Sequence, residues 1–323
     1  MIISKAPFRI SLFGGGTDLP SFYGRNGRGS VVSFSINKYM YIILHPYFHD
    51  KIRLKYSRTE DVNFAYELNH PLARECLKRF DLSAGLEIAS IADVPSGTGL
   101  GSSSAFTVAM LAALSEYSGV QWDKADIAKV AADIEISSLE QPIGKQDQYG
   151  SAVGGLKQIE FFKNGDVKYK GVSKDTAIKI TNNILLFYVG SPRSANSILE
   201  IQSKNMGSEK EYLAAKNILL LADKAMDLIE GGDLNQLGAL LRESWEFKKK
   251  LAPDVSNSYI DEIYELGISN GAQGAKLLGA GGGGFMLFYC FPEDQNRLRL
   301  AMRGLRELKV ELDYEGVSVI QVQ

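Results

Sequence analysis

The chain has 323 residues, 45% of them hydrophobic and 23% charged, with 36 Lys or Arg against 38 Asp or Glu and a formal net charge of −2. That balance describes an ordinary globular protein and excludes any global attraction to nucleic acid or an anionic membrane, so an anion site has to be built locally. Two distant cysteines, Cys76 and Cys290, read as buried reduced thiols. No apolar run approaches the ~18 residues of a membrane span, and Lys5, Pro7 and Arg9 interrupt what a signal peptide keeps apolar; the expectation is a cytoplasmic protein.

In chain order, Ile2 to Phe13 reads as a strand kinked at Pro7, with Arg9 among apolar residues, running into Gly14-Gly15-Gly16-Thr17-Asp18. Triple glycine after a strand marks a tight turn or a close backbone approach. Residues 31–44, rich in β-branched and aromatic side chains, predict a strand pair, 52–56 a further strand, 70–80 a helix and 85–91 another strand. The run from Pro95 to Ser104 then leads into an apolar segment ended by Gly119. Phe106, Ala109, Met110, Ala113 and Leu114 recur at helical spacing while Val108, Leu111 and Ala112 fill the other faces, so this helix is expected to be buried all round. Its N-terminus brings unpaired N–H groups and about half a positive charge inside the protein. With Gly97, Gly99 and Gly101 permitting close approach and Ser102, Ser103 and Ser104 adding hydroxyls, the segment reads either as a phosphate cradle or as a serine-capped core helix after a flexible loop.

Asp123 is expected to cap a second helix whose apolar face is Ile127, Val130, Ala131 and Ile134, which puts Glu135 on its small-residue side. A carboxylate there needs a partner, either a metal ion or a salt bridge. After Pro142 and Gly144, the run Lys145-Gln146-Asp147-Gln148-Tyr149-Gly150 reads as a binding loop or as a turn with an Asx cap. A hairpin is expected around Asn164-Gly165. A composition shift over 173–183 divides the chain into domains 1–178 and 179–323. The second half reads as a strand at 184–189, helices over 196–206, 209–229, 234–250 and 256–269, the glycine cluster Lys276 to Gly284, a strand over 285–291, a helix over 293–308 and a strand over 317–322.

Several motif matches fail on context. Gly279-x-Gly281-x-x-Gly284 matches a dinucleotide fingerprint, but that fingerprint leaves a strand and opens a helix, whereas this one is expected to follow a helix region and open a strand. Gly267-Ile268-Ser269-Asn270-Gly271 matches a nucleophile elbow, yet His45, His49 and His70 all precede it. His45 and His49 lack a third zinc ligand, and no Walker or protein-kinase loop occurs. What remains is a constellation: glycine turns at 14–16, 97–101 and 279–284 with isolated Arg9, Glu135, Asp147 and Lys276. Phosphoryl transfer needs an anion cradle, oxygen ligands for Mg2+, an acidic group at the acceptor hydroxyl and a cation for developing charge.

These residues resemble the GHMP small-molecule kinases, named for galactokinase, homoserine, mevalonate and phosphomevalonate kinases. The family's three signature regions match Ala6 to Asp18, Pro95 to Ala105 and Lys276 to Gly284 in order, and Glu135 through Gly144 to Asp147-Gln148-Tyr149 matches a fourth. The resemblance spans the whole chain. It implies an α+β fold of two domains, one like the second domain of ribosomal protein S5 and one ferredoxin-like, with the site between them. It implies ATP held by Pro95, Gly97, Gly99, Leu100, Gly101, Ser102, Ser103 and Ser104, with Gly281, Gly282 and Gly283 closing over the transferring group. Ser103 and Glu135 match the Mg2+ ligands, Asp147 the acidic residue beside the acceptor hydroxyl, and Arg9 its paired cation. Gly15, Gly16, Thr17, Asp18 and Lys276 fall to the acceptor.

Galactokinases carry Glu-His before the Thr-Asp pair, where this chain has Gly15-Gly16, so one sugar-holding carboxylate is missing. The form Gly14 to Asp18, with Pro7 to Ser11 upstream and Lys145 to Tyr149 later, is similar to the branch of the family that phosphorylates the anomeric hydroxyl of a phosphorylated heptose. The fucokinase-like branch is the alternative, and a sugar or nucleotide sensor without turnover a remote one. A phosphorylated sugar needs its own cation. Arg193, at an expected helix N-terminus where a cation opposes the helix dipole, is the first candidate, or else a solvated loop arginine; Lys38 and Lys145 are secondary.

Overall fold

The computed structural model describes residues 1–190 and 195–321, so the expectation for Arg193 lies outside the described residues. β1 (Ile2–Phe13) alternates buried and half-buried side chains as far as Lys5 and is then buried without interruption, as a strand is where both of its faces are covered. The expected kink is a register shift against the next strand between Pro7 and Arg9, a bulge of the kind that re-aims a side chain. The first half continues through α1 (Pro20–Asn26), β2 (Arg28–Pro46), β3 (Ile52–Lys55), β4 (Thr59–Val62), α2 (Pro71–Arg79), β5 (Leu86–Ala92), α3 (Ser102–Tyr117), α4 (Lys124–Ala132), α5 (Gln146–Ala152), β6 (Leu156–Phe162), β7 (Val167–Gly171) and α6 (Lys174–Thr181). The second half follows as β8 (Ile184–Tyr188), α7 (Ala195–Asn205), α8 (Glu209–Gly231), α9 (Leu237–Lys248), α10 (Ser258–Ser269), β9 (Ala272–Leu277), β10 (Phe285–Cys290), α11 (Gln295–Ala301), β11 (Arg306–Glu307) and β12 (Ser318–Gln321).

The fold is α+β with two sheets. The first runs β12-β1-β2-β5-β3-β4, with β6 and β7 added where β2 outgrows β5. The strand pair expected over 31–44 is therefore one strand of 19 residues, whose start pairs with β6 and whose end pairs with β5. The second sheet, β11-β8-β10-β9, is antiparallel throughout. Two further expectations change. The third glycine cluster joins β9 to β10 rather than following a helix, and the helix expected over 293–308 stops at Ala301 before β11. The last strand, on the far side of the 178/179 boundary, pairs with β1 from Ile2↔Gln321 to Lys5↔Ser318, so the second segment supplies an edge of the first sheet.

α3 packs across this sheet and is buried from Ser104 to Ser115, as its all-apolar pattern requires, with the Ser4 hydroxyl donating to the Ala109 carbonyl (2.6 Å). Leu19 and Phe22 pack with Met206, Ala215, Ile218 and Leu251 to join the halves beside the 14–18 turn. The two cysteines are buried and free. Among the described residues no helix is long and apolar enough to cross a membrane.

Candidate active site

A cleft of about 1020 Å³ opens where the three glycine turns meet, and Arg9, Asp18, Ser103, Glu135, Asp147 and Lys276 all line it. The second and third turns meet backbone to backbone. A Cβ on Gly99 would lie 2.5 Å from the Leu278 carbonyl oxygen, and one on Gly279 would lie 2.6 Å from the Gly99 Cα. Both residues also have positive φ, +83° and +77°. Only glycine permits that contact.

Arg9 organises the centre. Its backbone N–H donates to the Leu100 carbonyl (3.1 Å), and its Nη1 donates to the Gly99 carbonyl (2.7 Å). Nε and Nη2 both meet Asp147 Oδ1 at 2.7 Å. The arginine side chain is 4% exposed and that of Asp147 is 25% exposed. Among the described residues no donor reaches Asp147 Oδ2, so one carboxylate oxygen is pinned and the other is left for the cleft. Asp147 lies in the first turn of α5, where the sequence suggested a loop: seven residues containing Gly150 carry too little periodicity to announce a helix. Glycine is required at 150 because a Cβ there would meet the Arg9 side chain at 2.9 Å.

Glu135 has a different setting. Asp123 caps α4 as expected, through a bond from the Asp126 N–H, and beyond Ala132 the helix widens into a π-helical turn from Asp133 to Ser138. The Leu139 N–H donates to the Ile134 carbonyl (3.0 Å) in the i→i+5 pattern. Such turns commonly sit at functional positions because they re-aim side chains. Glu135 is wholly buried; its Oε2 accepts from Ser104 Oγ (3.0 Å), which in turn accepts from Gln148 Nε2 (3.1 Å). Oε1 has no partner. Burial pushes the carboxyl up to about 7 against the opposing effect of the Ser104 hydroxyl.

An unpartnered carboxylate oxygen beside the cleft fits a divalent cation. Among the described residues no group of three or more His, Cys, Asp or Glu is placed to hold a metal ion. Ser103 is exposed toward the cleft, whereas Ser104 is committed to Glu135.

At the other end of the cleft Asp18 is buried, with Oδ1 accepting from the Gly16 N–H (3.0 Å). Burial and the neighbouring Asp147 raise its carboxyl above the usual range, and Lys248 acts in the opposite sense. Gly15 and Gly16 line the cleft, but Thr17 does not: its hydroxyl is tied to the Gly14 and Ser30 carbonyls (both 2.8 Å) and pins the turn. Lys276 donates to the Ser11 and Leu12 carbonyls (3.0 and 3.2 Å), and burial pushes it down to about 7. Pro95, Gly97, Gly99, Gly101 and Ser102 line the cleft with Ser103 and Ser104, while the Leu100 side chain is in the core. In the third turn Gly279 and Ala280 reach the cleft wall, and Gly281, Gly282 and Gly283 stand behind them. Lys38 and Lys145 are not part of the lining.

Two features escaped the sequence. Tyr56, His70 and Phe106 form an aromatic wall, with His70 stacked on Phe106 (4.6 Å between centroids) and Tyr56 edge-on to His70 (4.8 Å). Lys248 on α9 points into the cleft from the second half. It sits in a Lys-Lys-Lys run that resembles a solvated face, yet its spacing from Leu241, Ser244 and Trp245, all buried, is that of the inner stripe.

Comparison with known proteins matches two family descriptions, the GHMP kinases N terminal domain over residues 63–155 and the GHMP kinases C terminal over 225–308. A D-glycero-alpha-D-manno-heptose 7-phosphate kinase of Campylobacter jejuni is 30% identical over 316 residues, covering 94% of this chain and 93% of that protein. An L-fucokinase/L-fucose-1-P guanylyltransferase of Bacteroides fragilis is 29% identical across 88% of this chain but only 34% of its own length. Among solved structures, a D-glycero-D-manno-heptose 1-phosphate kinase from Bacteroides thetaiotaomicron superposes with a TM-score of 0.81 at 22% identity, covering all of both chains.

Proposed function

The chain belongs to the GHMP kinases, and from that premise we propose that it transfers the γ-phosphoryl group of ATP to the anomeric hydroxyl of D-glycero-D-manno-heptose 7-phosphate, giving the 1,7-bisphosphate and ADP. The observation that carries the reading is the division of labour at Arg9: one guanidinium holds Asp147 Oδ1 and the carbonyl of Gly99 in the nucleotide-side turn. Acceptor and phosphate cradle are thereby held in one frame, and positioning is the greater part of phosphoryl-transfer catalysis.

In this reading Asp147 Oδ2 takes the hydrogen bond of the acceptor hydroxyl and receives its proton as the new O–P bond forms. The N–H groups opening α3 and the 97–103 turn hold the ATP phosphates. Glu135 and Ser103 hold Mg2+, which when bound neutralises charge on the phosphate oxygens. Lys276, which the resemblance gives to the acceptor, is read here as a cation for charge developing on the transferred group. Asp18 holds sugar hydroxyls, and the aromatic wall at Tyr56, His70 and Phe106 offers a flat surface to the nucleotide base.

A fucokinase-like activity is the second reading, favoured by the similarity to the Bacteroides fragilis protein. An ATP-consumption screen over sugars and sugar phosphates with Mg2+, scoring the phosphorylated carbon by NMR, tests both. The heptose 7-phosphate should give the highest kcat/KM, with phosphate appearing on C1. Preference for L-fucose would select the second reading. ATP binding without turnover on any sugar would leave a sensor.

A further inference from the structure

We propose that Lys248 is a specificity-determining residue of the acceptor subsite, meeting a phosphate group on the acceptor itself; this rests on the sugar-phosphate reading above and identifies the cation that reading requires.

Lys248 ends α9 and reaches across from the second half to the 14–18 turn. It is 7% exposed, and its Nζ donates to Gln202 Oε1 (3.1 Å) and sits 3.5 Å from the Gly15 carbonyl oxygen. A Cβ on Gly16 would stand 3.5 Å from the same nitrogen, so the ammonium lies in contact range of the 14–18 turn. Gln202 is fully buried, and its Nε2 donates to the Ala280 carbonyl (3.0 Å) in the third glycine turn. The ammonium is thus held in place by a buried amide rather than swinging in solvent.

Its setting is unusual in charge. Both of its recorded acceptors are neutral, and among the described residues no carboxylate is ion-paired with Lys248 or with Lys276, the second buried ammonium of this wall. Burial makes both harder to protonate, Lys248 and Arg9 act on Lys276 in the same sense, and Asp18 opposes at both. Buried charge without a counter-ion is costly. A neutral sugar would leave that cost standing, whereas an acceptor that carries its own phosphate removes it. Position separates the two sources of phosphate in the cleft. Lys276 is anchored on the Ser11 and Leu12 carbonyls of β1, while Lys248 touches the Gly15–Gly16 side, where Asp18 lies within electrostatic reach of both Asp147 and Lys248. We assign Lys248 to the acceptor and not to ATP.

The test compares D-glycero-D-manno-heptose 7-phosphate with unphosphorylated D-glycero-D-manno-heptose as acceptors for the full chain, in wild type, Lys248→Met, Lys248→Gln, Lys248→Arg and Gln202→Glu. In Lys248→Met the ratio of KM for the phosphorylated to the unphosphorylated sugar should rise roughly 10- to 100-fold, the range expected for losing a bond to a charged group. Lys248→Arg should recover most of it. Gln202→Glu gives the lysine a carboxylate partner at the cost of the Nε2 bond to the Ala280 carbonyl and should raise the same ratio; Lys248→Gln, which removes the charge but keeps a donor for Gln202 Oε1, keeps the proposal testable if Lys248→Met fails to fold. An unchanged KM ratio in folded variants overturns the assignment while leaving the kinase reading intact. A rise confined to KM for ATP assigns Lys248 to the nucleotide and likewise overturns it. If the wild type uses no sugar phosphate, the underlying reading fails first.

Discussion

Glu135 and Asp147 face the same cleft from neighbouring elements, yet their surroundings have little in common. Glu135 is sealed in a π-helical turn, held through one oxygen by a serine hydroxyl and without a partner on the other. Asp147 is partly exposed, with one oxygen clamped by two arginine nitrogens. A carboxylate short of partners in a dry site accepts a cation. One that is charge-paired yet open on its far side accepts a hydroxyl. In the proposed function the same functional group is thus given two tasks by what surrounds it, a separation familiar from catalytic acid pairs.

Five measurements break or sharpen this contrast. The largest effect is expected from Asp147→Asn, which retains the Oδ1 contact with Arg9 but removes the charge facing the hydroxyl; kcat should fall about 10²–10⁴-fold, and Tm should also fall because buried Arg9 loses its counter-ion. Turnover near that of the wild type would take Asp147 out of the mechanism.

Glu135→Gln comes next and should move activity and stability in opposite directions. With Mg·ATP, kcat/KM falls about 10²–10³-fold. Without ligands, Tm at pH 8 rises by roughly 2–6 °C. The sign follows from linkage: the folded carboxyl titrates at about 7 against an ordinary 4.5, so the folded state binds the proton more tightly and wild-type stability falls as pH rises through that window. Glutamine has no such loss. The Tm difference should open between about pH 4.5 and 7 and level off above it; a gap independent of pH would mean the carboxyl is not buried as charge.

Gly99→Ala tests the frame that both carboxylates share. Strain at positive φ and the 2.5 Å approach to Leu278 should cost about 1–3 kcal/mol in denaturant melts and raise KM for ATP. Ser104→Ala should cost about 1–3 kcal/mol of stability and a few-fold in rate, because buried Glu135 Oε2 and Gln148 Nε2 each lose their serine partner. Ser103→Ala should instead weaken Mg2+ dependence at unchanged stability, which distinguishes two adjacent serines.

Local signals were readable in advance. The Asp123 cap, the Asn164-Gly165 hairpin, the buried α3 and the glycine turns each follow from residues within a few positions of one another. The pairing of Arg9 with Asp147 came from family resemblance, since nothing local links residues so far apart. The elements that were misread depend on distant partners. β2 is long because different strands cover its two ends, and α5 is a seven-residue helix whose Gly150 lies against Arg9 of β1. Lys248 was hidden for a different reason: a lysine run signals solvent, and only the α9 stripe over Trp245 indicates that one of the three turns inward.

β12 has a consequence for folding and dissection. Residues at the two extremes of the described chain lie side by side, β12 pairing with the start of β1, the strand that carries Arg9. Loop closure over that span is slow, so the first sheet acquires its outer edge only after most of the polypeptide has collapsed. Separately produced halves would each lack a neighbouring strand at this seam, and mixing them offers a clean complementation assay: recovered turnover would report the seam being rebuilt in trans.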